Sequence, residues 1–169
     1  MLEGDQAKRE TESKTEPNEF MNTTINEHCI DVCNSLLRGE LSAIETYNQA
    51  IEKHTGTPES SELARIRDEH ARSVAKLRSN ISGMGGTPST DSGAWGVFAK
   101  AVQGTANLFG EDSALAALKQ GEEHGRNEYR DALADDEVLA ECKELFRSDL
   151  LMRVEEHIST LGRLEDANA

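Results

Sequence analysis

Basic residues, cysteines and long apolar runs are all scarce in this sequence. Its 18 Lys and Arg stand against 32 Asp and Glu, which gives a formal net charge of −14. Nucleic acids and anionic lipids bind proteins through basic surfaces, so we expect neither as a partner. No run reaches the roughly 18 apolar residues of a membrane-spanning helix, and the polar N-terminus lacks the apolar core of a signal peptide. The composition predicts a protein that acts away from nucleic acids and membranes.

Only three cysteines occur in the chain. An odd number in a chain of this length argues against a disulfide framework and favours a reducing compartment, so we expect a cytoplasmic protein. Cys29 and Cys33 are spaced to share one face of a helix, where two thiols can bind a soft metal. Buried small side chains are the favoured interpretation of this pair. The pattern leaves a redox role of Cys29, Cys33 and Cys142 open.

The 169 residues are enough for one domain with a sizeable core. Residues 1–22 are rich in Glu, Lys and Thr and have little to bury, so we predict a disordered acidic and polar tail there. Residues 23–166 are predicted to form a single helical domain, because apolar residues recur at spacings of three and four. The first predicted helix spans about 24–54, and the second runs from Thr57-Pro58 to Gly83. The third begins near Asp112, and the fourth begins within 136–141.

Nearly thirty residues separate the second and third helices, whereas the other two links are short. Short links produce antiparallel hairpins, and two hairpins joined by one long crossover form a ferritin-like four-helix bundle. We therefore predict an all-α fold of this type. A short helix is expected in the crossover, since an amphipathic stripe runs through Trp95, Phe98, Ala99, Val102, Ala106 and Phe109.

The two hairpins resemble each other in sequence. In the first helix of each, a Gly-Glu pair is followed by a tyrosine at the same spacing, and in the second helix of each a Glu-His pair recurs. The separation from tyrosine to histidine is five residues longer in the second hairpin, which predicts a longer turn near 135–141. Such a repeat implies pseudo-twofold symmetry. The matching pairs are Glu40 and Glu122, Tyr47 and Tyr129, Glu69 and Glu156, and His70 and His157.

One ionisable residue lies in the apolar seam of each helix, namely Glu40, His70, Glu122 and His157. Burying a lone carboxylate costs several kcal/mol unless the charge is paired or bound to a metal. Carboxylate oxygen and imidazole nitrogen are natural ligands of iron, manganese and zinc. These four residues are therefore candidate ligands of one divalent metal ion near the middle of the bundle.

Four further residues are candidates for supporting this site. Tyr47 and Tyr129 lie two turns from the glutamates on the same seams, where a hydroxyl can bond to the cluster. Glu69 and Glu156 directly precede the two histidines, about 100° away around the helix. They either support the histidines or face solvent.

A metal-free network is the alternative. Glu40 could pair with His70, and Glu122 with His157, so that each charge is satisfied and the helix register is fixed without any ligand. The protein would then have a structural or stress-related interaction role. The residues alone leave both interpretations open. A homodimer is compatible with the architecture, and the sequence identifies no protein partner.

Three motifs resemble a bacterial family of uncharacterised four-helix-bundle proteins that is placed in the ferritin-like superfamily. They are the run Leu36-Leu37-Arg38-Gly39-Glu40 with Tyr47, the loop Gly85-Gly86-Thr87-Pro88 with Trp95, and Gly121-Glu122 with Tyr129. The resemblance extends from Thr24 to Leu164. That family has no established biochemical activity.

The superfamily resemblance implies a di-iron site with a Glu on each of two helices and a Glu-x-x-His motif on each of the others. The two Gly-Glu glutamates and the two histidines match it. The positions of the two bridging acids hold Arg67 and Val154 instead. Two neighbouring metal ions need bridging oxygens, so the sequence argues against a ferroxidase or another oxidoreductase. It favours a reduced site for a single metal.

Overall fold

In a computed structural model of the protein, residues 17–95 and 111–168 are described, and all regular structure in these ranges is helical. The all-α prediction is therefore confirmed, as a bundle of four helices. The fourth helix is continuous in its backbone but contains a π-helical turn. The elements are α1 (Pro17–Lys53), α2 (Glu59–Gly83), a 3₁₀ turn (Gly93–Trp95), α3 (Glu111–Ala134), α4 (Ala140–Leu145), the π-helical turn (Phe146–Leu150) and α5 (Leu151–Asn168).

The first helix begins earlier than predicted. It starts at Pro17 rather than near Thr24, so residues 17–22 are helical and are not part of a disordered tail. Proline is favoured at the first helical position because its missing N–H has no partner to lose there. Residues 1–16 of the predicted tail, and the crossover stripe from Phe98 to Phe109, lie outside the described residues.

Hydrogen bonds between helices define their directions. Tyr47 and Tyr129 bond to Glu122 and Glu40, respectively, so α1 and α3 run antiparallel. The bonds of Glu69 with His157 and of Lys76 with Asp149 make α2 antiparallel to the fourth helix. With two short turns at 54–58 and 135–139, α2 and α3 point the same way. The link between the two hairpins therefore joins opposite ends of the bundle.

The predicted longer turn in the second hairpin is wrong. Both turns contain five residues, 54–58 and 135–139. The additional residues lie within the fourth helix, where His157 follows Ala140 by 17 positions, whereas His70 follows Glu59 by 11 in α2. The separation of tyrosine and histidine in the sequence does not show whether the additional residues lengthen the turn or the helix.

The π-helical turn follows from the spacing of apolar residues in the fourth helix. Three steps of four residues link Cys142, Phe146, Leu150 and Val154, and each such step rotates the stripe by about 40° in an α-helix. A π turn holds more residues per turn and absorbs this drift. All four side chains are buried as a result, and His157 still faces the core.

The apolar core is divided into two clusters by the Glu/His level of the bundle. The larger cluster contains Leu37, Leu77, Phe146 and Leu150, and the smaller one contains Leu63, Ile66, Leu115 and Leu161. Fully burying each such side chain stabilises the fold by about 1.5–3 kcal/mol. Within the described ranges, no helix combines the length and apolar character needed to cross a bilayer.

The end of α2 provides a stability test. Gly85 has φ +81°, and Gly86 N–H donates to Ile81 O at 2.9 Å, which together terminate the helix. A Cβ on Gly86 would lie 2.7 Å from Cγ2 of Ile30, whereas one on Gly83 would meet nothing within 4 Å. We expect Gly86→Ala to lower the free energy of unfolding by about 1–3 kcal/mol.

The matched variant is Gly83→Ala, which is expected to raise the free energy of unfolding by up to about 1 kcal/mol, because alanine is the better helix former. Urea denaturation followed by circular dichroism measures both values. Equal effects of the two substitutions would show that the loop does not pack on α1 at Ile30.

Candidate metal centre

Each of the four helices contributes one ionisable side chain to a common level. Glu40 comes from α1, His70 from α2, Glu122 from α3 and His157 from α5, and all four are no more than 4% exposed. The apolar neighbours on each seam pull these helix faces inward, so the polar groups are buried with them. The structure thus brings together the four residues that the sequence singles out.

His70 bridges the two glutamates. Its Nδ1 lies 2.6 Å from Oε2 of Glu40, and its Nε2 lies 2.8 Å from Oε1 of Glu122. A neutral imidazole can donate from only one nitrogen, so two carboxylate partners indicate a protonated ring. Desolvation lowers the pKa of His70, but the charges of Glu122 and Glu40 outweigh it and raise the pKa to about 10.

Glu122 is correspondingly held in its ionised form. Desolvation raises the pKa of its carboxyl, but the charge of His70 and the hydrogen bond from its ring bring it well below the ordinary value. In the metal-free protein the level therefore consists of one imidazolium between two glutamate side chains.

The two tyrosines are exchanged between the hairpins. Tyr47 of the first hairpin donates its hydroxyl to Glu122 of the second at 2.6 Å, and Tyr129 donates to Glu40 at 2.5 Å. Burial and the nearby carboxylates raise the pKa of both phenols, so both remain donors at neutral pH. This reciprocal arrangement is what pseudo-twofold symmetry requires of the repeated Glu and Tyr.

His157 breaks that symmetry. Its Nε2 lies 2.8 Å from Oε2 of Glu69, and its Nδ1 lies 3.4 Å from Oε1 of Glu122. Within the described part of the chain, this buried Nδ1 has no hydrogen-bond partner. The Glu122–His157 pairing of the metal-free alternative is therefore looser than the pairing of Glu122 with His70.

The two glutamates that precede the histidines also differ. Glu69 is bonded to His157 and accepts a hydrogen bond from Arg65 at 2.8 Å. The side chain of Glu156 is 63% exposed, and its carboxylate lies 3.9 Å from Arg65. Of these two glutamates, only Glu69 thus bonds to a histidine. Arg65 is not among the residues predicted from the sequence, although its spacing of four from Glu69 is typical of a helical ion pair.

Neither position of the missing bridging acids supplies a carboxylate to this level. Arg67 directs its guanidinium to Asp68 at 2.7 Å, with about a third of its side chain exposed. Val154 is buried in the larger apolar cluster. Arg67 therefore forms its ion pair at the surface, and Val154 fills core volume.

The protein atoms around Glu122 are spaced like neighbouring metal ligands. Bonds of about 2.1 Å to nitrogen and oxygen place adjacent ligand atoms about 3 Å apart. Glu122 Oε1 is 2.8 Å from His70 Nε2 and 3.4 Å from His157 Nδ1. One ligand atom from each of these three residues lies within 4.8 Å of the others. Glu40 lies on the opposite side of the His70 ring.

A cavity of about 60 Å³ adjoins this level between α1 and α3. Its walls include Gly39, Ala43, Gly121, Gly125 and Val154, and it reaches Glu40, Glu122 and His70. A cavity needs about 10–15 Å³ on this measure to admit a water, so there is room for water beside the carboxylates. The small residues next to the two glutamates leave this space open.

A model of one protein family matches residues 28–135, which include Glu40, His70 and Glu122 but not His157. No curated protein and no solved structure matches the chain. The family match covers well over half of the 169 residues. The chain belongs to the family described as a domain of unknown function, DUF2383.

Proposed function

We propose that the protein is a ferritin-like bundle that binds one divalent ion of iron, manganese or zinc through His70, Glu122 and His157. The observation that carries this proposal is the buried Nδ1 of His157, which faces Glu122 at 3.4 Å without a hydrogen bond. A buried polar atom without a partner costs about 1–3 kcal/mol. A metal ligand bond at this nitrogen would remove that cost.

The outer carboxylates support the same arrangement. Metal-binding histidines usually donate their second N–H to a carboxylate, which fixes the ring and its tautomer. Glu40 faces Nδ1 of His70 and Glu69 faces Nε2 of His157, at 2.6 and 2.8 Å. Each histidine therefore has one nitrogen held from outside and the other facing Glu122. Two histidines and one carboxylate with open positions are typical of mononuclear Fe(II) sites.

The ferritin-like assignment is supported by the antiparallel hairpins, the parallel directions of α2 and α3, and the repeated Glu, Tyr and His residues. Without bridging acids at Arg67 and Val154, a two-metal oxidation reaction has no support. Structural stabilisation, storage or sensing by one ion fits the site better than catalysis.

The second candidate is a metal-free role, and the position of His70 favours it. A protonated His70 satisfies both glutamates, each of which also accepts a hydrogen bond from a tyrosine. Such a network fixes the register of all four helices without a ligand, and partners would then bind outside the bundle.

Elemental analysis separates the two candidates. The full chain is purified without chelator and without a metal-affinity tag, and is then supplied with Fe(II) under anaerobic conditions, with Mn(II) or with Zn(II). The proposal expects about one retained ion per chain and a higher melting temperature. Retention far below one equivalent for all three metals would reject it in favour of the metal-free network.

The asymmetry of Glu69 and Glu156 gives a sharper test of the site. Glu69→Gln removes the carboxylate that holds His157, so we expect a 10–100-fold weaker metal affinity. Glu156→Gln makes the same chemical change in the residue that directly precedes His157, and the side chain of Glu156 is largely exposed to solvent. It should leave the affinity unchanged. Competition titration against a chelator measures both, and equal affinities would exclude His157 from the site.

A further inference from the structure

The three cysteines of the chain meet at one place in the larger apolar cluster. Cys29 and Cys33 come from α1 and Cys142 from α4, and each is at most 1% exposed. Their Sγ atoms all lie within 4.8 Å of one another, and none forms a disulfide. The sequence placed Cys29 and Cys33 on one face but gave no reason to add Cys142. We refer to the three residues as the thiol cluster.

Two further soft or neutral groups surround the thiol cluster. The amide Oδ1 of Asn80 lies 3.4 Å from the Sγ atoms of both Cys33 and Cys142. The thioether of Met84 lies 3.8 Å from Sγ of Cys142. Met84, at the end of α2, and Asn80 are both partly exposed, so solvent reaches the group from this side. Within the described residues, no histidine or carboxylate joins the three thiols as a fourth ligand.

We propose that the thiol cluster binds one Cu(I) ion through the sulfurs of Cys29, Cys33 and Cys142. Thiolate and thioether ligands select soft cations, of which Cu(I) accepts a three-sulfur environment. Zinc in structural sites is almost always four-coordinate, and a fourth strong ligand is missing from the described neighbourhood. Binding replaces the remaining thiol protons of the three cysteines by the metal and releases them to solvent.

This site is separate from the Glu/His level. The two share no ligand, and they lie on different turns of every helix that contributes to them. Binding of copper to the thiol cluster therefore does not depend on the proposed function of His70, Glu122 and His157.

The test is an anaerobic titration of the fully reduced chain with Cu(I) in the presence of a competing Cu(I) chelator. We expect one copper per chain, three sulfur neighbours by X-ray absorption spectroscopy and a higher melting temperature. Copper that is lost to the chelator, or that has nitrogen and oxygen neighbours, would overturn the proposal. If the reduced chain binds no copper and mild oxidation converts Cys29 and Cys142 to a disulfide, the proposal is also overturned.

Substitutions identify the ligands. Cys142→Ser should weaken copper binding by at least the roughly 10–100-fold that loss of a supporting group costs a metal site. Glu155→Gln, at a surface ion pair with Arg130, is the control that should not change it. Because Cys142→Ser inserts a hydroxyl into the core, Cys33→Ala is made in parallel, and the stoichiometry and sulfur count of the parent chain decide the question if neither variant folds. Parent-like affinity in a folded Cys142→Ser protein contradicts the assignment.

Discussion

A Glu122→Gln protein is expected to unfold with a free energy about 1.5–3 kcal/mol below that of the parent. The substitution keeps the shape of the side chain and an acceptor for Tyr47, but it removes the charge next to the imidazolium of His70. His70 would keep Glu40 as its one charged partner and would lose a charge-assisted hydrogen bond at a level where the side chains are no more than 4% exposed. Urea denaturation of the metal-free protein at neutral pH measures the loss. The same variant should lose metal-dependent stabilisation.

The control breaks an ion pair at the surface. Glu155 pairs with Arg130 at 3.0 Å, and about half of each side chain is exposed. Glu155→Gln should therefore cost no more than about 1 kcal/mol. If Glu122→Gln is as stable as Glu155→Gln, His70 is neutral in the folded protein and the level is not ionic.

The metal-free protein is expected to lose several kcal/mol of stability as the pH rises from about 6.5 to about 10. The folded pKa of His70 is raised to about 10 from an ordinary value of 6.5, after the carboxylates outweigh desolvation. Between these values the folded state binds a proton that the unfolded state has released, so the free energy of unfolding falls with pH. Each pH unit across which the proton count differs by one changes it by about 1.4 kcal/mol.

Denaturation curves in the presence of a chelator, taken at several pH values across this interval, give the slope. His70→Gln has no imidazole at this position, and its curve should be flatter than that of the parent because the other titrating groups are common to both. A parent protein whose stability stays constant or increases over the interval would show that His70 is not protonated when folded.

The sequence was sufficient to predict the level of the site but not its pairings. One ionisable residue per apolar seam predicts that Glu40, His70, Glu122 and His157 meet, because burying the apolar neighbours fixes which face of each helix turns inward. The reciprocal tyrosine bonds follow from the repeated spacing in the same way. The pairing of histidines with carboxylates depends on shifts of a few ångström of one helix along another. The spacing of apolar residues in the sequence does not determine these shifts.

The sequence repeat did not predict that the two hairpins differ in their contacts. Glu69 and Glu156 occupy equivalent positions in the sequence, yet one bonds to His157 and the other is largely exposed. The thiol cluster was missed for a related reason, since Cys142 has no counterpart in the first hairpin and lies far from Cys29 along the chain. Contacts between helices of different hairpins require the three-dimensional arrangement.

The π-helical turn at Phe146–Leu150 sets the rotation of the second part of the fourth helix relative to the first. Cys142 lies before it and His157 after it, so the turn sets the angle between the thiol cluster and the Glu/His level. If these residues formed a regular α-helix, the segment beyond them would be rotated relative to the preceding segment, because each step of four residues turns an α-helical stripe by about 40°. Such a helix could place Cys142 in the thiol cluster or His157 at the Glu/His level, but not both.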